Sequence, residues 1–321
     1  MAAKNTLALR RRHPGLNRAQ RTNLTFYAFL TPWLLGLVFL VVIPLAIGLV
    51  TSFTNYDGLN WDSLKFVKFD NYTRAFTDPK VGFSLQRTLL WLALNLPLWM
   101  IISFGLALLL NQNVKGKGFF RMLYYLPSVV PAASAVMVWR TVLDKNTGLL
   151  NGFISLYRPG TAIGWLSNYS LQGLTLIVLW ASLGAGMIIF LAGLQNIPDE
   201  LVEAARIDGA SSWAILKYII LPLMTPVIFF QLVQGLIGTF QQITYPLLLA
   251  VASMTGASGV APRGITLYMY NTFQEIFSNQ RYGYGTALLW LFFIGIVILT
   301  VFVFWSQKFW VYTGEVEEED R

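Results

Sequence analysis

Long apolar runs separated by polar stretches set the pattern of this chain. Six of them, at roughly 26–53, 88–110, 122–143, 171–195, 218–252 and 284–307, meet the length of about 20 mostly apolar residues that a bilayer-crossing helix needs. They predict an all-α membrane protein with six transmembrane helices. The first run is longer than the core of a signal peptide, about 7–15 residues, and no small-residue cleavage site follows it, so it reads as a retained helix. The fifth exceeds what spanning requires. Part of it is expected to start at the surface or to break within the membrane.

Composition agrees with the pattern. The 321 residues are 55% hydrophobic and 12% charged, against roughly 25% charged in an ordinary soluble domain. That balance excludes a water-soluble domain, and it excludes a disordered chain. Zero cysteines exclude disulfide frameworks and thiolate metal sites. The net charge of +8 matters through its placement. Lys4, Arg10, Arg11, Arg12, Arg18 and Arg21 precede the first run with no acid among them, the mark of a cytoplasmic anchor against anionic membrane lipid. The basic residues form no single patch, so no nucleic-acid partner is expected.

The loop between the second and third runs carries Lys115, Lys117 and Arg121 and no acid, which places it on the cytoplasmic side as well. Six spans then return the C-terminus to that side, giving an N-in, C-in topology. Three regions follow: a basic cytoplasmic segment over 1–25, a transmembrane domain over 26–310, and an acidic cytoplasmic tail over 311–321. The tail's run of Glu315, Glu317, Glu318, Glu319 and Asp320 reads as a solvated end without assigned function.

The apolar runs hold almost no ionisable group, with Arg140 near one end of the third. Proton-driven carriers place such groups within the membrane, and an intramembrane enzyme needs a nucleophile with a base or metal ligands. Neither is expected. Uncharged polar residues occur instead: Asn95, Gln231, Gln234, Thr239, Gln241, Gln242, Thr244 and Tyr245. A single Gln is most simply glue between helices. Five polar side chains between 239 and 245 point beyond glue, to a neutral, hydroxyl-rich solute.

The loop at 197–222 carries the most specific signal. Pro198, Asp199 and Glu200 spell a helix start, Gly209 a stop, and Ser211 or Ser212 can cap a second short helix running through Lys217. Ala204 and Ala205 give the first helix a small-residue face that another protein can approach. Glu203-Ala204-Ala205, three residues, Gly209, nine residues, Ile219, one residue and Leu221-Pro222 resembles, anchor by anchor, the EAA motif of permease subunits of binding-protein-dependent ABC importers.

The resemblance extends along most of the chain and narrows to sugar permeases of the maltose and glycerol-phosphate uptake type. Ser52-Phe53-Thr54-Asn55-Tyr56 is similar to that family's close of the first span. Leu126-Pro127-Ser128-Val129-Val130-Pro131, Trp139 and Gly148-Leu149-Leu150-Asn151 resemble its third span and the loop after it. Leu191 to Pro198 is similar to its approach to the coupling loop, and Tyr268-Met269-Tyr270, Phe273 and Gly283-Tyr284-Gly285 resemble the stretch before the last span. One departure stands out: the family's Thr-x-Gly-Gly-Pro turn is replaced by Thr255-Gly256-Ala257-Ser258-Gly259.

The resemblance implies a sugar permease in a prokaryotic plasma membrane, working with a second permease chain, two ATPase subunits and an extracytoplasmic sugar-binding protein. The stretch before the last span looks more like the first-type permease of such pairs, which implies a heterodimer with a related chain; a homodimer stays open. ATP and magnesium would sit on the ATPases, with no cofactor in this chain and no enzymatic activity of its own; the sequence has no Gly-x-x-x-x-Gly-Lys-Ser/Thr phosphate loop. By resemblance, the first loop helix docks in an ATPase groove, and Glu203, Ala204, Ala205, Asp208, Gly209, Leu221 and Pro222 form the coupling set. Matching positions for the solute path are Trp180, Ser182 and Ala185 in the fourth span and Gly235, Gly238, Thr239 and Gln242 in the fifth. Competing readings are the same machine for glycerol phosphate or another small polar solute, and a sodium-coupled carrier acting alone.

Overall fold

Helix is the only regular structure among the described residues apart from one isolated bridge, Thr54 with Phe66. The computed structural model of the chain describes residues 17–62, 64–112, 115–254 and 262–312. The basic leader through residue 16, the 255–259 turn and the acidic run at 315–320 lie outside the described residues.

Among the described residues, five helices are long and apolar enough to cross a membrane: Thr22–Ser52, Pro79–Asn111, Ser170–Gln195, Ser212–Val251 and Tyr282–Phe309. The third predicted span differs from the expectation of one helix over 122–143. It is a pair, α5 (Lys117–Val129) and α6 (Ala132–Val142), bent by 100°. The cause is Pro131, because a residue before proline is driven out of the helical region; Val130 accordingly sits at φ −72° and ψ 128°. Counting the pair as one span gives six.

The first span runs through α1 (Arg18–Leu37), a π turn at Val38–Val42 and α2 (Ile43–Ser52). A second π turn, Leu216–Ile220, joins α10 (Ser212–Ile215) to α11 (Leu221–Phe240). Each lies just before a proline, Pro44 or Pro222. Proline offers no N–H to the carbonyl four residues back and its ring presses on it; a widened turn absorbs that mismatch. The segment after Gly209 starts as the capped helix expected there, but it is not separate: through the π turn it runs on into the fifth span.

The second span is α4 (Pro79–Asn111), which begins nine residues before the predicted apolar run. Pro79 takes the first helical position and Asp78 caps it, accepting from the Lys80 N–H at 2.9 Å. The fourth span is α8 (Ser170–Gln195), apolar all round and the most buried of the set, as a central helix should be. It packs along α4 and α5, while α11 lies along α4 and α8. The sixth span is α14 (Tyr282–Ser306), packed on α2 and on α3 (Asp70–Thr77).

At the end where α4 and α8 begin, the chain after the fifth span is pinned across the bundle. Arg87 donates to Ser170 Oγ at 3.0 Å and to the Gly264 carbonyl. Thr88 Oγ1 accepts the Tyr268 N–H at 2.8 Å at the start of α13 (Tyr268–Phe273), and the Tyr268 hydroxyl donates to the Leu288 carbonyl at 3.0 Å. These bonds tie spans two, four and six together above the site.

Candidate functional site

The fifth span breaks where the polar residues cluster. Helix α11 ends at Phe240, and α12 (Thr244–Met254) starts again after Gln241, Gln242 and Ile243. A break at membrane depth exposes backbone groups, and it is tolerated where they line a cavity or are buried in protein. Beside this break lies a cavity of about 390 Å³ bounded by α4, α8 and α11. Six of the seven predicted path residues line it: Ser182, Ala185, Gly235, Gly238, Thr239 and Gln242. Trp180 does not. Its ring packs edge-on against Trp139, with centroids 5.9 Å apart.

The third wall comes from α4, which the resemblance-based set omits. Trp91, Asn95 and Trp99 recur every four residues and so share one helix face. That spacing, with an Asn amid apolar residues, was the available signal. Two of these side chains also hold the walls together: Trp99 Nε1 donates to the Ser182 carbonyl at 3.2 Å, and Trp91 Nε1 to Thr175 Oγ1 at 3.1 Å. From α11, Gln231 donates to the Gly186 carbonyl at 3.1 Å. Gln231 is thus the interhelical glue of the simpler reading.

Close approach is built in. A Cβ on Gly186 would come within 2.7 Å of the Trp99 ring, and one on Gly235 within 2.5 Å of Leu96 and 2.9 Å of Trp99. Trp99 is wedged between α8 and α11 by glycines on both sides. Gly238 differs, because a Cβ there would meet nothing within 4 Å.

The cavity carries no charge. Its polar equipment is side-chain amides and hydroxyls, and its walls are indole, phenyl and aliphatic. Asn95 is 5% exposed, and its Oδ1 has no hydrogen-bond partner. A buried acceptor left unmatched costs about 1–3 kcal/mol, so a hydroxyl reaching it would be favoured. Gln242 Oε1 accepts a long 3.5 Å contact from the Tyr245 N–H. The chemistry offered is hydrogen bonding to a neutral polar molecule against aromatic surface.

The predicted coupling residues gather at the far end of the spans. Helix α9 (Asp199–Ile207) has Asp199 and Glu200 in its first turn and no buried residue. Glu203, Ala204, Asp208 and Gly209 are exposed, while Ala205, Leu221 and Pro222 are half-buried. Ile207 is 87% exposed and Trp213 69%. The helix ends in a Schellman turn: Ala210 N–H donates to the Ala205 carbonyl at 2.9 Å and Gly209 N–H to that of Arg206 at 3.1 Å. Gly209 takes φ +82°, the left-handed conformation that glycine adopts without steric cost. Ser211 Oγ then accepts the Ala214 N–H at 3.2 Å and caps the next helix. The turn is the one expected.

Comparison with known proteins identifies the family. Residues 99–310 match the family of binding-protein-dependent transport system inner membrane components. The chain is 34% identical over 303 residues to the probable ABC transporter permease protein YesP of Bacillus subtilis, covering 93% of this chain and 95% of that protein. It is 31% identical over 289 residues to the multiple sugar-binding transport system permease protein MsmF of Streptococcus mutans, covering 87% and 94%. Its fold is similar to a chain in the crystal structure of a bacterial alginate ABC transporter in complex with an alginate pentasaccharide-bound periplasmic protein (TM-score 0.72, 22% identity, 90% of this chain and 95% of that one). The chain belongs to the inner-membrane components of binding-protein-dependent transport systems, the permease subunits of ABC transporters.

Proposed function

We propose that this chain is the permease subunit of an ATP-driven sugar importer, and that it carries a neutral mono- or oligosaccharide through the cavity beside the break in the fifth span. The observation that carries the reading is the uncharged, amide- and indole-lined cavity with an unsatisfied Asn95 acceptor. The name of the MsmF relative supports the same solute class. Glycerol phosphate would call for Arg or Lys along the path, and none lines the cavity.

Energy enters through α9. Its exposed residues form a helix for a groove in a separate ATPase subunit. Glu203 pairs with groups there, Ala204 and Ala205 allow close approach, and Asp208 and Gly209 make the turn. Leu221 and Pro222 begin the helix that leads to the cavity, so a push on α9 is passed along α11 to Gly235, Gly238 and Thr239. ATP and magnesium belong to two such ATPases. A related second permease chain completes the path, and almost none of the Thr22–Ser52 span is buried within this chain, leaving it for lipid or that partner. An extracytoplasmic sugar-binding protein delivers the solute, and the bent pair counts as a span, so that six spans leave both termini in the cytoplasm beside anionic lipid.

Two measurements on one strain test this. Reporter fusions at Asp144 and after Tyr312 should report opposite sides of the membrane, and an ATPase subunit should co-purify with the chain in mild detergent. Reporters on one side, or a chain that purifies alone and transports, would overturn the reading.

A further inference from the structure

A second cavity, of about 590 Å³, lies at the opposite end from α9, between the start of α4 and the segment leading into α14. Its lining includes Lys80 and Phe83 from α4, Tyr270 and Asn271 from α13, and Gln274 and Glu275 beyond it. Three features mark it as built. Asn271 is 4% exposed and its Nδ2 has no partner. Glu275 is 3% exposed, with Oε1 accepting from Asn279 Nδ2 at 2.9 Å and Oε2 from Arg281 at 3.4 Å. A carboxylate offers about four acceptor positions, so two stay open. Gln274 Nε2 donates to the Tyr270 hydroxyl at 2.8 Å, which fixes that ring at the cavity wall.

A ligand here must accept from Asn271 and donate to Glu275, and a hydroxyl does both. One cation and one carboxylate line the cavity, so neither an anion nor a cation is matched. The Phe83 and Tyr270 rings add apolar surface. The volume falls within the usual range for ligand sites, about 300–1,000 Å³. Phe83 here and Trp91 in the deeper cavity are eight residues apart on α4, roughly 12 Å of helix rise.

We infer that this outer cavity is a second saccharide site, a receiving station that holds the sugar released by the binding protein before it enters the deeper cavity. The inference rests on the sugar reading above. It assigns Asn271 as a donor and Glu275 as an acceptor to sugar hydroxyls, with Phe83 and Tyr270 flanking the ring.

The chain has no cysteine, so single thiol reporters test this in the assembled transporter. Lys80→Cys reports on the outer cavity and Ala185→Cys on the deeper one. Maleimide labelling rates would be measured with lactose, maltotriose and raffinose as probes. At ten times its Kd, a bound sugar should slow labelling by about tenfold at both positions. Adding Asn271→Leu, or Phe83→Ala should the buried change prevent folding, should remove protection at position 80 and keep it at 185. Protection at 185 with none at 80 would overturn this inference and leave the sugar reading standing. Protection at 80 by sugar-free binding protein would make the cavity a docking surface and overturn the inference too. Protection at neither position by any of the three sugars would overturn both.

Discussion

Replacing Gly209 with Asp is expected to abolish ATP-driven uptake while the chain inserts and packs as before. The turn needs φ +82° at this residue, and a side chain there is strained by roughly 1–2 kcal/mol. Aspartate also sets a second carboxylate beside Asp208 at the negative end of α9, which costs about a further 0.3–1 kcal/mol. A Cβ at Gly209 meets no atom of this chain within 4 Å, so no clash displaces the spans and the backbone strain falls on how α9 is presented. Coupling between sites is typically about 1–3 kcal/mol, equivalent to roughly 5–150-fold, so strain of this size suffices to uncouple. Glu203→Ala should act in the same direction and more mildly, leaving groups in the ATPase groove unmatched. Uptake and binding-protein-stimulated ATP hydrolysis are measured together and should fall together. Normal values for both in a well-expressed Gly209→Asp protein would mean that α9 does not couple.

The second large effect is expected at Gly238. Gly186 and Gly235 are closed in by Trp99, but a side chain at 238 has open space in the cavity. Gly238→Phe should therefore fill the solute's room without displacing a neighbouring helix. A solute forced to share that space meets an overpacking penalty of about 1–3 kcal/mol, roughly 5–150-fold in uptake. Phenylalanine is also a better helix former than glycine, by a few tenths of a kcal/mol, in the last turn of α11. The expected signature is loss of transport with an unchanged or raised unfolding temperature. Uptake at the native rate in a folded Gly238→Phe protein would show that the solute travels elsewhere.

Much of this was legible in the sequence, for physical reasons. Bilayer-length apolar runs have few alternatives to helix, and the start and stop of α9 and the cap of the helix after it are each written in a residue with a strong local preference: Asp199, Gly209 and Ser211. The excess length of the fifth run signalled that part of it starts at the surface or breaks, and the polar cluster at 239–245 lies beside the break. What escaped depends on relations between segments. The bend at Pro131 was written in the Val130-Pro131 pair but was masked by the continuous hydropathy around it. Periodicity counts apolar residues and is blind to which face of α4 meets α8, so of the wall made by Trp91, Asn95 and Trp99 only Asn95 drew notice, as a polar residue in an apolar run. Trp180 lies off the cavity because an indole at the right depth can pack on Trp139 as readily as it can line a path. The outer cavity joins residues nearly two hundred positions apart, which no local pattern reports.

The most direct test of the account is sugar uptake into liposomes that hold this chain with its partner permease and ATPase. Uptake is expected only when ATP and the sugar-loaded binding protein are both supplied, and none from a sodium gradient with this chain alone. Uptake by the chain alone, driven by sodium and indifferent to ATP, would contradict it.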